Sequence, residues 1–246
     1  MFSSSLHCRS WGVNRGEEEF LGPVGMITLA WCSATCPHCY LSEQQPEIVQ
    51  VPLDAFPHII AEMRERGAKS LYIVNPERQG EPLTRVLRTC RETFPDFPVV
   101  LKLGGHESSA EIEPLLDHVD ACSLDVKAFC ADTAAALGLP DLLTRTEQLV
   151  HLVSDKLGRF QQTTRGVAGW WARHVGLPGR VANLEPEIRR RLGDHRPPIW
   201  FSREYRPFGR ARKMNMFNRK LTSEERDSMC KLVQKLATEG WPAWLR

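Results

Sequence analysis

Six short apolar runs, alternating with longer amphipathic stretches, constrain the fold of this chain more than any other feature. They are Gly25-Met26-Ile27-Thr28-Leu29-Ala30-Trp31, Ser70-Leu71-Tyr72-Ile73-Val74, Pro98-Val99-Val100-Leu101-Lys102-Leu103, Asp120-Ala121-Cys122-Ser123-Leu124-Asp125, Trp170-Trp171-Ala172-Arg173-His174-Val175 and Ile199-Trp200-Phe201-Ser202. Strands separated by helical segments pair in parallel, because each helix returns the chain to the same end of the sheet. Between the runs, Leu53, Phe56, Ile59, Ile60 and Met63 recur at helical spacing. Residues 82–94 read as a second helix with Pro82 in its first turn, and further helical stretches occupy 131–157. A last helix opens on the capping box Thr222-Ser223-Glu224-Glu225, carries Met229, Leu232, Val233 and Leu236 on one face and stops at Gly240. The expectation is an α/β fold, a partial (β/α)6 TIM-like barrel, with its reactive face at the carboxyl ends of the strands.

At 246 residues the chain is long enough for one such unit with a sizeable core. It shows no repeat and no low-complexity segment, so it reads as a single domain. Residues 1–24 form an N-terminal extension, 25–204 the core and 205–246 a basic segment with the last helix. A flexible break is expected only at 161–166. A net charge of +2 gives no overall field that would demand nucleic acid. No apolar run approaches the roughly 20 residues that span a bilayer. The N-terminal residues lack the basic start and long apolar centre of a secretory signal. A cytoplasmic location is therefore expected, where unpaired cysteines stay reduced.

Three of the eight cysteines fall in one run, Trp31-Cys32-Ser33-Ala34-Thr35-Cys36-Pro37-His38-Cys39-Tyr40, directly after the first strand. A [4Fe-4S] cluster normally takes four thiolates, so a compact three-thiolate loop leaves one iron open to another molecule. Zinc also selects thiolates, and Cys8 or His38 could complete four ligands. Structural zinc sites usually add a second Cys/His pair at short spacing, and none follows here. Cys8, Cys90, Cys122, Cys130 and Cys230 are scattered singly.

The spacing Cys32-x3-Cys36-x2-Cys39, with a ring-bearing residue before the last cysteine, resembles the loop of radical S-adenosylmethionine (SAM) enzymes, with His38 where Tyr or Phe is commoner. Most of the chain, about residues 8–236, is similar to the pyruvate formate-lyase activating enzyme group and its uncharacterised relatives. Cys8-Arg9-x2-Gly12-Val13-Asn14-Arg15 resembles their opening, with Trp11 in place of a second cysteine. Leu124-Asp125-Val126-Lys127 resembles their D-L-K strand. Residues 171–179 and 204–209 resemble two later strand ends. The resemblance implies a radical SAM core, a [4Fe-4S] cluster on Cys32, Cys36 and Cys39, and S-adenosylmethionine as second cofactor. It further implies reductive cleavage of SAM to a 5'-deoxyadenosyl radical that abstracts hydrogen.

Gly-Gly-Glu, which holds the SAM amino group in many such enzymes, is missing after the second strand. Glu77 replaces it by position and Glu81 by local likeness, and the sequence leaves the choice open, a solvated loop included. Arg173 is the candidate for the SAM carboxylate, since guanidinium and carboxylate match as a two-pronged pair. Asp125 and Lys127 share one face of their strand and form either an ion pair or part of the cofactor cavity. Lys102 precedes Gly104-Gly105, glycines that suit either close backbone approach to a nucleoside or a tight turn. His174 faces away from Arg173 as a packed residue, and Tyr40 lies either against adenine or in the core. Arg203, Arg206, Arg210, Arg212, Lys213, Arg219 and Lys220 form a basic rim, solvated or facing an acidic partner, with nucleic acid disfavoured. With no second cysteine group, the electron is expected from an external donor such as flavodoxin or ferredoxin. The expected activities are glycyl radical enzyme activation on a protein partner or chemistry on a small molecule or modified peptide. A non-catalytic metal-binding protein is the alternative.

Overall fold

The computed structural model describes residues 4–16, 18–44 and 47–246. Met1, Phe2 and Ser3, the start of the N-terminal segment, lie outside the described residues. The strands are β1 (Ser5–Asn14), β2 (Val24–Leu29), β3 (Val49–Pro52), β4 (Ser70–Val74), β5 (Val99–Leu103), β6 (Ala121–Asp125), β7 (Gln161–Thr163), β8 (Gly166–Val175), β9 (Ile199–Ser202) and β10 (Ala243–Leu245). The helices are α1 (Leu41–Gln44), α2 (Phe56–Glu65), α3 (Gly80–Thr93), α4 (Ser109–Leu116), α5 (Ala131–Ala136), α6 (Leu142–Leu157), α7 (Leu184–Leu192) and α8 (Ser223–Thr238).

The molecule is an α/β protein built on a mostly parallel sheet with spatial order β10-β9-β8-β6-β5-β4-β2-β1-β3, to which β7 adds on β8. The six strands expected from the apolar runs are β2, β4, β5, β6, β8 and β9, adjacent in chain order and all parallel. The stretches read as an extension and a C-terminal segment join the same sheet. β1 pairs antiparallel with β2, and β10 pairs parallel with β9. Residues 161–166, expected as a break, form β7 and its turn into β8.

Period-two alternation splits each central strand between two environments. Leu71, Ile73, Leu101, Leu103, Cys122, Leu124, Trp170, Ala172 and Phe201 join the large core that the helices cover. Tyr72, Val74, Val100, Ala121 and Trp171 belong to a smaller cluster on the other face, closed by Leu21, Phe20 and Phe160. Further along that inner face the residues turn polar. Lys102 follows Val100 by two, Ser123 and Asp125 follow Ala121, and Arg173 follows Trp171. Register then places Asp125 opposite Arg173, and Lys102 opposite Ser123. The charged residues thus collect at the carboxyl end of the inner face, while aromatic rings fill the amino end. Phe20 packs edge-on against Phe160 and Trp171, with ring centroids 5.2 Å away in each case.

The capping box of α8 forms as the sequence indicates. Thr222 accepts from the Glu225 N–H, and Glu225 accepts from the Thr222 N–H at 2.7 Å. Among the described residues no helix is long and apolar enough to cross a membrane.

Candidate functional site

The cysteine loop leaves the carboxyl end of β2. That strand ends at Leu29 rather than Trp31, because Trp31 adopts a left-handed backbone (φ 67°) and turns its ring onto His7 at 4.2 Å. Cys32, Cys36 and Cys39 are free, half-buried thiols. Burial pushes the Cys36 thiol up; Lys127 opposes this, while Cys32 and Cys39 reinforce it. Cys36 therefore lies within electrostatic range of Cys32, Cys39 and Lys127, and Cys32 is also within range of Lys127.

Glu77, in the turn after β4, holds this loop. Its Oε1 accepts from the Ser33 N–H at 2.6 Å, its Oε2 from the Ser33 hydroxyl at 2.6 Å. The imidazole of His106 lies against the same carboxylate, Nε2 to Oε1 3.0 Å, and Nε2 is also 3.5 Å from Cys32 Sγ. Burial would raise the Glu77 pKa, but the hydrogen bonds from His106 and Ser33 outweigh it and hold the group near about 2. Burial would lower His106, yet Cys32, Glu77 and Glu107 carry it up to about 10. Gln79 ties the same turn to the strand beneath, its amide donating to the Ala30 carbonyl at 3.3 Å.

The turn after β5 brings His106 to this place. Glu107 is buried and accepts from the N–H groups of Gly104 (2.5 Å) and His106 (3.1 Å). Lys127 Nζ donates to the Gly104 carbonyl. Gly105 has φ +79°, and a Cβ there would run into the Asp125 carbonyl oxygen. Gly105→Ala is expected to cost at least about 1–3 kcal/mol through backbone strain alone. Urea denaturation checks this, and an unchanged midpoint would show that the turn relaxes freely.

On the inner face, Asp125 is surrounded by cations. Lys102 Nζ lies 2.5 Å from Oδ1, Arg173 Nε 3.5 Å from Oδ1 and Lys127 Nζ 3.8 Å from Oδ2. Burial alone would raise the Asp125 pKa, but the three cations, Lys102 foremost, hold it well below the usual carboxylate range. Arg173 also pairs with Glu18 at 3.2 Å and donates to the Tyr72 hydroxyl at 3.3 Å. Glu18 is buried, and its Oε1 accepts from the Trp171 indole at 3.0 Å.

The segment after β9 folds back over the cysteine loop. Gly209 N–H donates to Glu43 at 2.6 Å, Ala211 N–H to the Pro37 carbonyl at 2.8 Å, and Arg210 to the Thr35 carbonyl. Arg212 pairs with Glu43 at 3.0 Å, and Arg219 pairs with Glu225 at 2.6 Å. The basic rim expected of this segment is exposed at Arg203, Arg206, Arg210, Arg212, Lys213, Arg219 and Lys220, and at Arg210, Arg212 and Arg219 the guanidinium groups also meet carbonyls or carboxylates of the chain itself.

The structure thus gathers Cys32, Cys36, Cys39 and Glu77 in one place, with Lys102, Asp125, Lys127 and Arg173 beside them. It does not bring in Glu81. That residue sits in the exposed first turn of α3, 3.8 Å from Arg85 in an i,i+4 pair, so it is a helix-surface residue and not a cofactor ligand. Cys8 is fully buried in the core, where burial lifts its thiol to about 12, and it is not in the one set of three donor atoms that converge among the described residues. Tyr40 is exposed, so its core reading is also corrected. His174 is buried, Nδ1 2.7 Å from the Val126 carbonyl. Sequence reasoning missed Glu18, Ser33, His106 and Glu107. His106 and Glu107 were within reach, since they directly follow a strand end on the reactive side of the sheet. Glu18 lies in an acidic run that carries no signal of burial.

No family model matches this chain, and no curated protein does. Among solved structures, a probable 2-pyrone-4,6-dicarboxylic acid hydrolase from Acinetobacter baumannii, with citric acid bound, is similar at 12% identity with a TM-score of 0.31, covering 89% of this chain and 82% of that one. A likeness at that level carries no argument about activity.

Proposed function

We propose that this chain is a radical SAM protein, with Cys32, Cys36 and Cys39 as ligands of a [4Fe-4S] cluster and its six central parallel strands as a partial (β/α)6 barrel. The observation that carries this reading is that three free thiols lie on one loop at the carboxyl end of the parallel strands, the middle one in electrostatic range of the other two and of Lys127. Among the described residues they do not converge tightly enough to share a single ion. A cluster spreads its ligands around a larger body than a single ion does, and three thiolates on one loop are the donor chemistry it takes. When bound, such a cluster with one open iron supplies an electron to the sulfonium of S-adenosylmethionine and so yields a 5'-deoxyadenosyl radical.

The chain's own groups then have distinct tasks. Lys127 offsets the negative charge of the thiolates. Glu77 and His106 orient the first cysteine, so Glu77 serves the loop rather than an incoming ammonium group. Lys102, Lys127 and Arg173 concentrate positive charge around Asp125, which suits an amino-acid carboxylate. A cavity of about 550 Å³ lined by Glu18, Arg173, Trp200, Ser202, Glu204 and Arg206 opens at the ends of β8 and β9. Its size supports the small-molecule or peptide version of the reading. Activation of a glycyl radical enzyme draws on the exposed basic segment, although Arg210 and Arg212 also meet Thr35 and Glu43 of the chain itself. In either version the electron comes from an external donor of the flavodoxin or ferredoxin kind.

Anaerobic reconstitution tests this reading. The protein is expected to take up about four iron and four sulfide per chain. Alanine at Cys36 or Cys39 removes them, and alanine at Cys90 or Cys230 does not. Absence of iron-sulfur absorption after reconstitution of the intact chain would overturn the proposal.

A further inference from the structure

At the first cysteine of the loop, side chains from the turns after β4 and β5 meet its sulfur in an arrangement that the cluster reading does not use. Cys32 Sγ, a carboxylate oxygen of Glu77 and a ring nitrogen of His106 all lie within 4.8 Å of one another, and among the described residues they are the one set of three such donors that does. We infer that Cys32, Glu77 and His106 form a mononuclear zinc site, alternative to the cluster and exclusive of it because both need Cys32.

The geometry fits a tetrahedral ion. With metal–ligand bonds of about 2.0–2.3 Å, the edges of a zinc tetrahedron are roughly 3.3–3.6 Å long. Here the nitrogen-to-oxygen edge is 3.0 Å and the nitrogen-to-sulfur edge 3.5 Å. Zinc accepts this mixture of thiolate, imidazole and carboxylate. The surroundings are also those of a metal site. Ser33 holds the carboxylate through its N–H and its hydroxyl. Glu107 Oε2 lies 3.9 Å from His106 Nδ1, on the side where a ligating histidine normally meets a carboxylate. His106 Nδ1 is buried and finds no hydrogen-bond partner among the described residues. Glu77 and His106 line a cavity of about 490 Å³, from which water can fill the fourth position. On binding, Cys32 gives up its thiol proton and His106 the Nε2 proton that it shares with Glu77, both to solvent, and the ion takes the place of the latter between the two side chains.

Cys36 and Cys39 have no part in this site, and that separates it from every all-thiolate alternative. The test uses the reduced, metal-free full chain, titrated anaerobically with zinc against a chromophoric chelator, with cobalt(II) spectra as a probe of thiolate and four-fold coordination. The intact chain is expected to bind one zinc. Cys36→Ala and Cys39→Ala should retain it, whereas His106→Ala and Cys32→Ser should each weaken it by more than about ten-fold, with folding checked by circular dichroism. Two conservative positions are varied so that misfolding of one leaves the other to decide. Zinc lost in Cys36→Ala and Cys39→Ala, or kept in both His106→Ala and Cys32→Ser, overturns the site, as does absence of tight zinc in the intact chain. The exclusion rests on the cluster reading and is tested separately. Zinc-loaded chain should resist iron-sulfur assembly, and the same chain stripped of zinc by a chelator should not. Assembly in the zinc-loaded chain would overturn the exclusion alone. No assembly in the zinc-free chain would overturn the cluster reading and leave the zinc site standing.

Discussion

Glu77→Ala is expected to lower the thermal midpoint of the metal-free protein by roughly 10 °C. The change removes three short hydrogen bonds at once and leaves the buried His106 without its counter-charge. Breaking a buried, hydrogen-bonded ion pair from one side costs about 3–5 kcal/mol, and each kcal/mol shifts a domain of this size by about 2–4 °C. Glu77→Gln keeps the shape and can still accept from Ser33, so its loss should be smaller, and the difference between the two variants measures the charge. Calorimetry on both variants decides the matter. A midpoint for Glu77→Ala within about 2 °C of the parent would mean that the cysteine loop does not depend on this carboxylate.

The second large effect concerns Asp125 and is expected to depend on pH. Its folded pKa lies below the ordinary carboxylate value of about 3.9, because Lys102, Lys127 and Arg173 face it. A carboxylate depressed in this way stabilises the fold above its unfolded pKa and loses that contribution as the pH falls toward the folded value. At pH 7, Asp125→Asn leaves three cations facing each other. With about a quarter of the side chain exposed, the expected loss is about 2–3 kcal/mol. As the pH falls below about 4, the ordinary carboxylate value, toward the lower folded value, the parent should lose this advantage progressively while the variant stays flat by comparison, so the two melting curves converge toward acid. A stability difference that holds constant over that range would assign the effect of the substitution to packing rather than charge.

What the sequence disclosed and what it hid follow from the kind of signal each part carries. The six central strands were legible because strands buried on both faces read as unbroken apolar runs. β1 carried no such signal, since Ser5–Asn14 mixes histidine, arginine, tryptophan and glycine and is only half covered. β10 has three residues, too few for any period to appear. At the site, the cysteines announced themselves by spacing, whereas the pairing of Asp125 with Arg173 was hidden, because it depends on which strands become neighbours in the sheet. The choice between Glu77 and Glu81 was hidden, because it turns on where α3 begins. The helix starts at Gly80, which carries Glu81 to the surface and leaves Glu77 in the turn below. Glu18 meets Trp171 and Arg173 across more than 150 positions of chain, a distance over which no local pattern reports.

The strap that the late segment lays over the cysteine loop has a consequence for when the loop can take its working shape. Arg210 reaches Thr35 across 175 positions, and Gly209 reaches Glu43 across 166. A ribosome adding about 5–20 residues per second needs roughly ten to thirty seconds to cover that separation. Throughout this interval the three thiols have left the ribosome with no strap to hold them. The cysteine loop is therefore made well before the segment that completes it, and on the proposed function a cluster would meet its finished site only once residues 209–212 are in place.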